Sequence, residues 1–434
     1  MVVLAASREV RRVLTTGVIG ARYVGLGVLA RLRGEKGVAP TMLRRAFEDL
    51  GPTYIKLGQI VASSFGLFPK RYVTEFQRCL DRVRPFEYEQ VERIVKSELG
   101  DTVEGVYASF ERAPLASASI AQVHAATLGG GREVVVKIQR PGIDERVDAD
   151  VGILHICASA LSLVPTAELA NPVGIIEDFD ATIHEELDFA REAANMDEFN
   201  RMMKELGHED IVAPRVVWPL SSRRVLTMER FYGVRVDDVE AIRARDLDAE
   251  AKLVHGLRAW FQCMIIYGFF HGDVHAGNLM LLDDGRLGFL DFGIIGRFSD
   301  TQRRQVTDYI VSFATADYAR LAEVMLAMGS IAAHVDRDDL AKDLAVAYAP
   351  ILSKSFGELK YGELLPGILR VAVKHRMRLP NEFVLVTKQM LFFDRYAKLL
   401  APKLNLFTDP RLVAGISEDI MTAAMRDAAR AAGR

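Results

Sequence analysis

The spacing of hydrophobic positions changes several times along the chain, and each change predicts a different element. Apolar residues recur at helical spacing in three short stretches, residues 42–50, 54–64 and 70–81. Glycine and proline at residues 51–52 and 66–69 separate these stretches, as expected at helix ends. The pattern therefore predicts a block of short helices that ends at Arg84-Pro85.

A region with strand-like patterns follows this block. Residues 119–127 alternate in polarity, residues 129–131 are three glycines, and residues 133–139 are rich in β-branched side chains. Two such runs about a glycine turn predict a β-hairpin. Residues 224–228 predict a further strand. Two long helical patterns lie between these strands, over residues 144–163 and 172–206.

The second half of the chain is helical from about residue 250, with one predicted hairpin. Its strands cover residues 278–282 and 287–290, and the intervening residues 283–285 (DDG) are a strong signal for a tight turn. After Ser299 the pattern is helical to the end.

This order predicts an α+β fold in which a strand-rich lobe precedes a helix-rich lobe. A cleft between two lobes is a common place for a ligand. We predict five segments: an N-terminal arm over 1–40, a helical extension over 41–113, a first lobe with inserted helices over 114–229, a helical second lobe over 230–400, and a C-terminal helical tail over 401–434.

The N-terminal arm is both apolar and basic. Residues 13–30 are mostly apolar but contain Arg22, and a central Arg costs about 2.5–3.5 kcal/mol on membrane-insertion scales, so a spanning helix is not expected. An arm of this kind can lie on an anionic membrane surface or dock on the protein itself. Its charged residues are Arg8, Glu9, Arg11, Arg12, Arg22, Arg31, Arg33, Glu35 and Lys36.

Composition narrows the class of protein. The net charge is −3 and half of the residues are hydrophobic, which is ordinary for a soluble globular protein and predicts no nucleic-acid partner. The three cysteines, Cys79, Cys157 and Cys263, lie far apart. This spacing excludes a disulfide framework and a zinc ribbon, and it suits the cytoplasm.

The strongest chemical pattern is His271-x-Asp273 with Asn278, followed by Asp291 in the triplet DFG. Phosphoryl transfer needs metal ions at the phosphates and a carboxylate near the attacking oxygen. Asp273 could be that carboxylate, and Asn278 and Asp291 could be oxygen ligands of Mg²⁺. The predicted hairpin can fold Asp291 back toward Asn278. Both spacings equal those of protein-kinase signatures.

Two other interpretations of this segment remain open. The polar residues could form a loop by chance, although three motif elements and the turn agree. His271 and His275 are four residues apart, which suits zinc on a helix. Gly272 and Gly277 instead favour a loop.

Lys137 ends the apolar run of residues 134–136 and is a candidate for binding ATP. A Lys on a buried strand usually has a charge partner, and in a kinase it contacts the α and β phosphates and pairs with a helical Glu. Glu186 and Asp188 lie on a helical stretch downstream. The alternative is that Lys137 extends from an edge strand while the two acids form a solvated face.

A loop that could cover phosphates precedes the first strand. Ala116, Ser117, Ala118 and Ser119 occupy it, where glycines would let backbone N–H groups approach phosphate closely. This composition allows a nucleotide pose that differs from that of an ordinary kinase. We also place Met228, at the end of the third predicted strand, among the nucleotide-binding residues.

Together these motifs resemble the UbiB/ADCK family of atypical kinases over about residues 45–400. The matching segments, in chain order, are KLGQ at 56–59, ASAS at 116–119, SIAQVH at 119–124, KIQRPG at 137–142, ELD at 186–188, REA at 191–193, and the motifs of Asp273 and Asp291. The resemblance implies a bilobal kinase-like fold with an N-terminal extension. It also implies that Lys56 and Gln59 of that extension cover the active site.

The resemblance implies further roles. Lys137 would bind ATP, Glu186 and Asp188 would contact Lys56 or Lys137, and Asp273 would be the catalytic Asp. Asn278 and Asp291 would hold Mg²⁺. Family members act in prenylated quinone and isoprenoid lipid metabolism, as ATPases or unorthodox kinases at membranes.

The sequence departs from the family in places. Ala276-Gly277 stands where members usually have Pro-Gly, which changes loop stiffness more than metal ligation. Many bacterial members end in transmembrane helices, whereas residues 411–434 are too polar to span lipid. Membrane contact would therefore come from the N-terminal arm or another exposed helical face, at the inner face of the membrane.

We therefore expect an atypical kinase or ATPase that uses Mg-ATP and an unknown small-molecule or lipid acceptor. A small-molecule kinase of the choline or aminoglycoside type shares the His-x-Asp loop but lacks the Lys56–Gln59 motif. A non-catalytic, nucleotide-gated scaffold is a third interpretation. The sequence leaves a dimer open.

Overall fold

The structure is a computed structural model of the full chain. It describes residues 2–35, 37–63, 69–79, 83–163, 172–245, 247–331, 335–355, 357–359, 361–377, 381–406 and 408–432. The chain forms two compact units, unit 1 with residues 1–194 and 215–230, and unit 2 with residues 195–214 and 231–434. Residues 195–214 thus belong to the second unit, whereas the sequence pattern places them in the first lobe.

The bounds of the described elements follow the chain. The helices are α1 (Val2–Leu32), α2 (Ala39–Leu50), α3 (Pro52–Ser63), α4 (Lys70–Phe76), α5 (Tyr88–Leu99), α6 (Val103–Val106), α7 (Ile143–Ser162), α8 (Pro172–Glu186), α9 (Phe189–Glu205), α10 (Val239–Ala244), α11 (Ala249–Gln262), α12 (Asp300–Ala314), α13 (Tyr318–Ala327), α14 (Arg337–Leu352), α15 (Tyr361–Lys374), α16 (Asn381–Leu400), α17 (Pro410–Val413) and α18 (Ile416–Ala432). The strands are β1 (Ser109–Phe110), β2 (Ala116–Ser117), β3 (Ala121–Thr127), β4 (Glu133–Gln139), β5 (Ile211–Val212), β6 (Val225–Glu229), β7 (Gly233–Arg235), β8 (Phe269–His271), β9 (Leu279–Leu282), β10 (Leu287–Phe289) and β11 (Ile295–Arg297).

Unit 1 is built on an antiparallel sheet of order β1-β3-β4-β6, with β2 paired to β3. The pairing of β3 with β4 confirms the β-hairpin that the sequence predicts about the glycine turn. On β4, Val134, Val136 and Ile138 are fully buried at every second position, as expected for one face of a strand. They pack with Val91 and Val95 of α5 in one hydrophobic core.

Helix α5 is absent from the sequence prediction. Its buried residues, Val91, Ile94 and Val95, form a narrow apolar stripe in an otherwise charged segment. Such a helix is stabilised by its contact with the core of the sheet rather than by its own composition. The helical block therefore continues beyond Arg84-Pro85, after which α5 begins at Tyr88.

The helical pattern over residues 172–206 is broken into α8 and α9. The break falls at Leu187-Asp188. One carboxylate oxygen of Asp188 accepts hydrogen bonds from the backbone N–H groups of Ala190 and Arg191, both at 3.1 Å. A side chain that accepts from the first free N–H groups of a helix is a typical N-cap. Asp188 therefore starts a new helix.

Helix α1 docks on α2 and α7 within unit 1. The guanidinium of Arg12 pairs with the fully buried carboxylate of Asp150 and donates to the carbonyl of Leu50 at 2.7 Å. The hydroxyl of Tyr23 donates to Asp49 at 2.7 Å. By length and composition Val10–Leu32 could also cross a bilayer, and only 6% of its apolar window is buried.

The described residues of unit 2 form two small sheets. The first has the order β5-β10-β9-β7, with β5 and β10 parallel and the other pairs antiparallel. Its central hairpin, β9 and β10, turns at Gly285 with φ of 84° and confirms the prediction from DDG. The second sheet pairs β8 with β11. These three-residue strands are too short for sequence periodicity to predict.

The helices of unit 2 after Ser299 confirm the predicted helical pattern. Helix α12 begins with a capping box, in which Ser299 accepts from the backbone of Gln302 and the Gln302 side chain accepts from the backbone of Ser299. The last helix, α18, is held by ion pairs of Asp419 with Arg258 and of Asp427 with the buried Arg303.

Candidate active site

His271 anchors the loop that carries Asp273. It is almost fully buried at the end of β8. Its Nδ1 accepts from the backbone N–H of Asp273 at 3.1 Å, so Nε2 carries the proton and donates to the carbonyl of Leu290 at 3.0 Å. Burial lowers the pKa of His271, which favours this neutral form.

These contacts disfavour a zinc site at His271 and His275. Both ring nitrogens of His271 are engaged with the backbone. The Nδ1 of His275 accepts from the N–H of Gly277 at 3.0 Å, and its Nε2 lies 3.7 Å from a carboxylate oxygen of Asp273. The segment is a loop and not a helix presenting two histidines, as the glycines indicate.

Asn278 closes the loop in a 3₁₀ turn, Ala276–Asn278. Its Nδ2 donates to the backbone carbonyl of Asp273 at 2.9 Å, which leaves the amide oxygen as the group available for a metal. The backbone N–H of Leu290 donates to the carbonyl of Asn278 at 2.8 Å. Since Leu290 precedes Asp291, the hairpin of β9 and β10 folds Asp291 back toward Asn278, as the sequence predicts.

Asp291 has an unusual backbone. Its φ is 56°, in the left-handed region that few residues other than glycine adopt. The carboxylate is exposed, and its Oδ1 accepts from the N–H of Gly293 at 3.3 Å. Strained backbone of this kind persists where neighbouring contacts determine it.

Phe292 supplies those contacts. It is completely buried, with its ring centroid 4.8 Å from that of His271 and 5.0 Å from that of Phe199. The carbonyl of Phe292 accepts from Nδ2 of Asn195 at 3.0 Å, and Arg297 holds the amide oxygen of Asn195 at 3.0 Å. The triplet is therefore fixed by one buried ring while the adjacent carboxylate reaches solvent.

Lys137 of unit 1 pairs with Glu192. Its Nζ lies 2.9 and 2.8 Å from the two carboxylate oxygens of Glu192, and 5.0 Å from the centroid of the Phe189 ring. Lys137 is 9% exposed and Glu192 is 2% exposed. A buried ammonium held by both oxygens of a carboxylate is a satisfied charge pair.

Glu186 pairs with a different lysine. One of its carboxylate oxygens lies 2.7 Å from Nζ of Lys56. Lys56, one of the two partners that the family resemblance allows, therefore contacts Glu186, whereas Lys137 contacts Glu192. The helix break at Asp188 explains this difference, because Glu186 ends α8 whereas Glu192 lies on α9.

Asp188 is also placed differently from the expectation. Its carboxylate caps α9 through backbone N–H groups, and its described contacts include neither Lys56 nor Lys137. The second acid of the ELD motif therefore has a role in forming the helix that carries Glu192.

The KLGQ segment lies on α3, with Lys56 and Gln59 both half-buried. The glycine between them is required by packing. A Cβ at Gly58 would lie 2.8 Å from the Phe76 ring, closer than real Cβ atoms approach, and 3.1 Å from the Cys79 sulfur, which is a tight contact. Gly58 thus lets α3 approach α4, which sets the position of Lys56.

The ASAS segment forms a tight loop on the edge of the unit 1 sheet. Ala116 and Ser117 pair with Val123 and Gln122 on β3, and the N–H of Ala118 donates to the carbonyl of Ala121 at 2.8 Å. The guanidinium of Arg140 donates to the Ala118 carbonyl at 3.0 Å and to the Ser117 hydroxyl at 2.8 Å. Ser119 is buried at the end of the loop.

Met228 lies on β6, opposite Val135 of β4, and is 8% exposed. It also forms an isolated antiparallel bridge with Val216. The prediction of a strand over residues 224–228 is confirmed by β6, and a nucleotide contact of Met228 stays a prediction.

A separate acidic cluster in unit 2 does not resemble a free metal site. Asp339, Asp343 and His375 bring their ligand atoms together. The Nζ of Lys374 lies 2.8 Å from Asp339 and 2.7 Å from Asp343, and His375 lies 2.7 Å from Asp343. Lys374 thus pairs with both carboxylates, and His375 also contacts Asp343.

Comparison with known proteins identifies the family. The ABC1 atypical kinase-like domain matches residues 78–325, and the UbiB helical domain matches residues 344–405. The chain belongs to the ABC1 family of atypical kinase-like proteins. This confirms the resemblance to UbiB/ADCK proteins and the kinase-like α+β fold.

Three relatives show how similar this ABC1-family chain is to known proteins in sequence. An uncharacterised chloroplastic aarF domain-containing protein kinase of Arabidopsis thaliana is 39% identical over 401 residues, covering 86% of this chain and 74% of the relative. An uncharacterised Mycobacterium tuberculosis protein is 40% identical over 373 residues, covering 85% and 76%. A probable protein kinase UbiB of Xanthomonas campestris is 34% identical over 398 residues, covering 89% and 70%.

A solved structure shares the fold. It is a Mycobacterium tuberculosis protein in complex with erythromycin, with a TM-score of 0.57 and 25% identity. The match covers 90% of this chain and 99% of the other. The similarity of fold therefore covers most of this chain.

Four residues near the motifs are missing from the sequence prediction. Glu192 is part of the REA segment that supports the family resemblance, so the sequence itself could have indicated a functional role for this residue. Asn195, one helical turn later, holds Phe292. Gln389 and Tyr396 of the UbiB helical domain contact the loop of Asp273, and no motif indicates them. Both residues lie more than 100 positions from the loop along the chain, so a local sequence pattern does not predict this contact.

Proposed function

We propose that the chain binds Mg-ATP and acts as an atypical kinase or ATPase. The observation that carries the proposal is the conformation around Asp291. The N–H of Leu290 donates to the backbone carbonyl of Asn278, and Asp291 follows Leu290 with a left-handed backbone. These features support a site in which the Asp291 carboxylate and the Asn278 amide oxygen would bind one metal ion. This is a hard-oxygen donor set, which Mg²⁺ prefers over nitrogen or sulfur.

The roles of this chain's own residues follow from that donor set. Asn278 and Asp291 would hold Mg²⁺, which neutralises phosphate charge when bound. Asp273, on the same loop, would accept the proton of the attacking hydroxyl or water. Its backbone is held at both ends, by His271 and by Asn278, so little reorganisation accompanies the reaction.

Lys137 would contact the phosphates. Its pairing with Glu192 supports this role, since a kinase lysine is typically oriented by a helical Glu. Ala116, Ser117, Ala118, Ser119 and Met228 would line the nucleotide. Lys56 and Gln59 would limit access of a protein substrate, so the acceptor would be a small molecule, a lipid or water.

The family resemblance supports a role in lipid metabolism. One relative is a probable protein kinase UbiB, and the family resemblance implies prenylated quinone or other isoprenoid lipid pathways. We propose such a pathway for this chain, with the protein in the cytoplasm and peripheral on the inner face of the membrane.

Thermal unfolding of the full chain tests the nucleotide proposal. Mg-ATP at about 100 times its Kd should stabilise the folded protein by about 2.7 kcal/mol. Chelation of Mg²⁺ with EDTA should remove most of this stabilisation, because the phosphate charge is then not neutralised. Equal melting temperatures with and without Mg-ATP would refute the proposed site.

The outer face of α1 supports the membrane proposal. Leu14, Val18 and Val24 are 63%, 69% and 68% exposed, although all three are large apolar residues. The opposite face is held to the protein body by Arg12 and Tyr23. A helix with one docked face and one exposed apolar face suits a bilayer surface better than a spanning position, which would require these contacts to break.

Vesicle sedimentation tests this surface. The double variant Leu14→Glu/Val18→Glu should reduce binding to vesicles with anionic lipid at least about tenfold, since burying one such side chain contributes about 1.5–3 kcal/mol. Val346→Glu/Val373→Glu is the matched control, because both residues are exposed, apolar and in unit 2. Similar binding of the two variants would exclude α1 as the membrane contact.

A further inference from the structure

One face of α16 contacts the loop of Asp273. Gln389, Phe392, Phe393 and Tyr396 recur at helical spacing on this face. The side chain of Gln389 is fully buried, donates from Nε2 to the carbonyl of Gly272 at 2.5 Å and accepts at Oε1 from the N–H of Val274 at 2.9 Å. These two bonds lie on either side of Asp273.

The rest of the face reinforces this contact. The hydroxyl of Tyr396 donates to the carbonyl of Val274 at 2.9 Å, and burial raises the pKa of Tyr396, so the hydroxyl keeps its proton. The ring of Phe393 is 5.6 Å from that of Trp260, whose indole N–H donates to the carbonyl of His271 at 3.2 Å.

Residues 272–274 lie outside helices and strands. The N–H of Gly272 donates to the carbonyl of Ile294 at 2.9 Å, whereas the carbonyl of Gly272 and the N–H of Val274 bond to the Gln389 side chain. A buried backbone group without a hydrogen bond costs about 1–3 kcal/mol. Gln389 offers a donor and an acceptor in one rigid amide, like a neighbouring peptide unit. It therefore serves the residues before and after Asp273 at the same time.

We propose that Gln389 and Tyr396 are positioning residues for Asp273. Through them the UbiB helical domain sets the backbone on which the catalytic carboxylate stands. The catalytic consequence rests on the proposed function, whereas the effect on the loop backbone does not. Both residues contact the backbone of Gly272 and Val274, and we assign them no direct role in the chemical step.

Three variants of the full chain test the proposal. Gln389→Leu removes both hydrogen bonds to the loop. Tyr396→Phe removes one buried hydroxyl that donates to a backbone carbonyl. Thr307→Val is its matched control, because Thr307 is buried in the same unit and donates to the carbonyl of Arg303, away from the loop.

Hydrogen exchange decides the structural part. In Gln389→Leu, exchange of the Val274 amide should be faster than in the wild type by at least about tenfold, because the protecting bond is lost. Amides of α12 should keep their rates. Thr307→Val should leave Val274 unchanged. Wild-type exchange at Val274 in Gln389→Leu would overturn the proposal, even if the protein proved to have no ATP turnover.

Kinetics decide the catalytic part. Gln389→Leu should lower kcat for Mg-ATP turnover by about 10- to 100-fold with little change in KM, since a small displacement of a catalytic group reduces rate more than binding. Tyr396→Phe should lower kcat less, and Thr307→Val should not lower it. A loss of kcat in Thr307→Val equal to that in Tyr396→Phe would show a general packing effect and overturn the positioning role.

Discussion

Asp291→Asn is expected to abolish the stabilisation of the protein by Mg-ATP. Of the two proposed metal ligands, Asp291 alone carries a negative charge, and Mg²⁺ binds carboxylates far better than neutral amides alone. Asn has the shape of Asp, tolerates the left-handed backbone at φ of 56°, and can accept from Gly293. The fold of the free protein should therefore be unaffected.

The measurement is the melting temperature of wild type and variant, with and without Mg-ATP. The wild-type stabilisation of about 2.7 kcal/mol at 100 times Kd should fall to near zero. Asp273→Asn is the contrasting variant. It should keep the stabilisation but lower turnover about 10²- to 10⁴-fold, as expected for loss of a general base. A shift of wild-type size in Asp291→Asn would place the metal elsewhere.

Glu192→Ala is expected to destabilise folding by about 3–5 kcal/mol, because it breaks the buried ion pair between the ammonium of Lys137 and the Glu192 carboxylate. Lys137 has the carboxylate oxygens of Glu192 at 2.9 and 2.8 Å, and both residues are nearly inaccessible to water. The double variant Lys137→Met/Glu192→Leu removes both charges and keeps similar volume. It should recover most of the loss.

An exposed ion pair that joins α8 to α9 is the matched comparison. Arg191 and Glu185 are 2.8 Å apart, with side chains 50% and 38% exposed. Removing Glu185 should cost no more than about 1 kcal/mol, as is usual for surface ion pairs. Urea unfolding of all four proteins compares these costs. If Glu192→Ala and the double variant were equally destabilised, the cost would come from lost packing and not from the broken ion pair.

The sequence predicts well the features that depend on neighbouring residues. The hairpins of β3–β4 and β9–β10 follow from strand patterns about glycine turns, and the spacing of Asp273, Asn278 and Asp291 is local. Helix α5 is different, because its narrow apolar stripe has meaning only against the sheet that it covers.

The partner of Lys137 shows a second limit. Glu186 and Glu192 are equally plausible on one continuous helix, and only the capping of α9 by Asp188 separates them. Gln389 shows a third limit, because it meets Val274 only after the helices of unit 2 have packed. Contacts that tertiary structure creates cannot be derived from one sequence's local pattern.

The left-handed backbone at Asp291 places two independent demands on one position. The dihedral angle is compatible with Gly, Asn and Asp, and strained for most other residues. Metal ligation favours a carboxylate, which means Asp or Glu. Only Asp belongs to both sets. The identity of residue 291 is therefore determined twice, once by the geometry of the chain and once by the chemistry that it is proposed to perform.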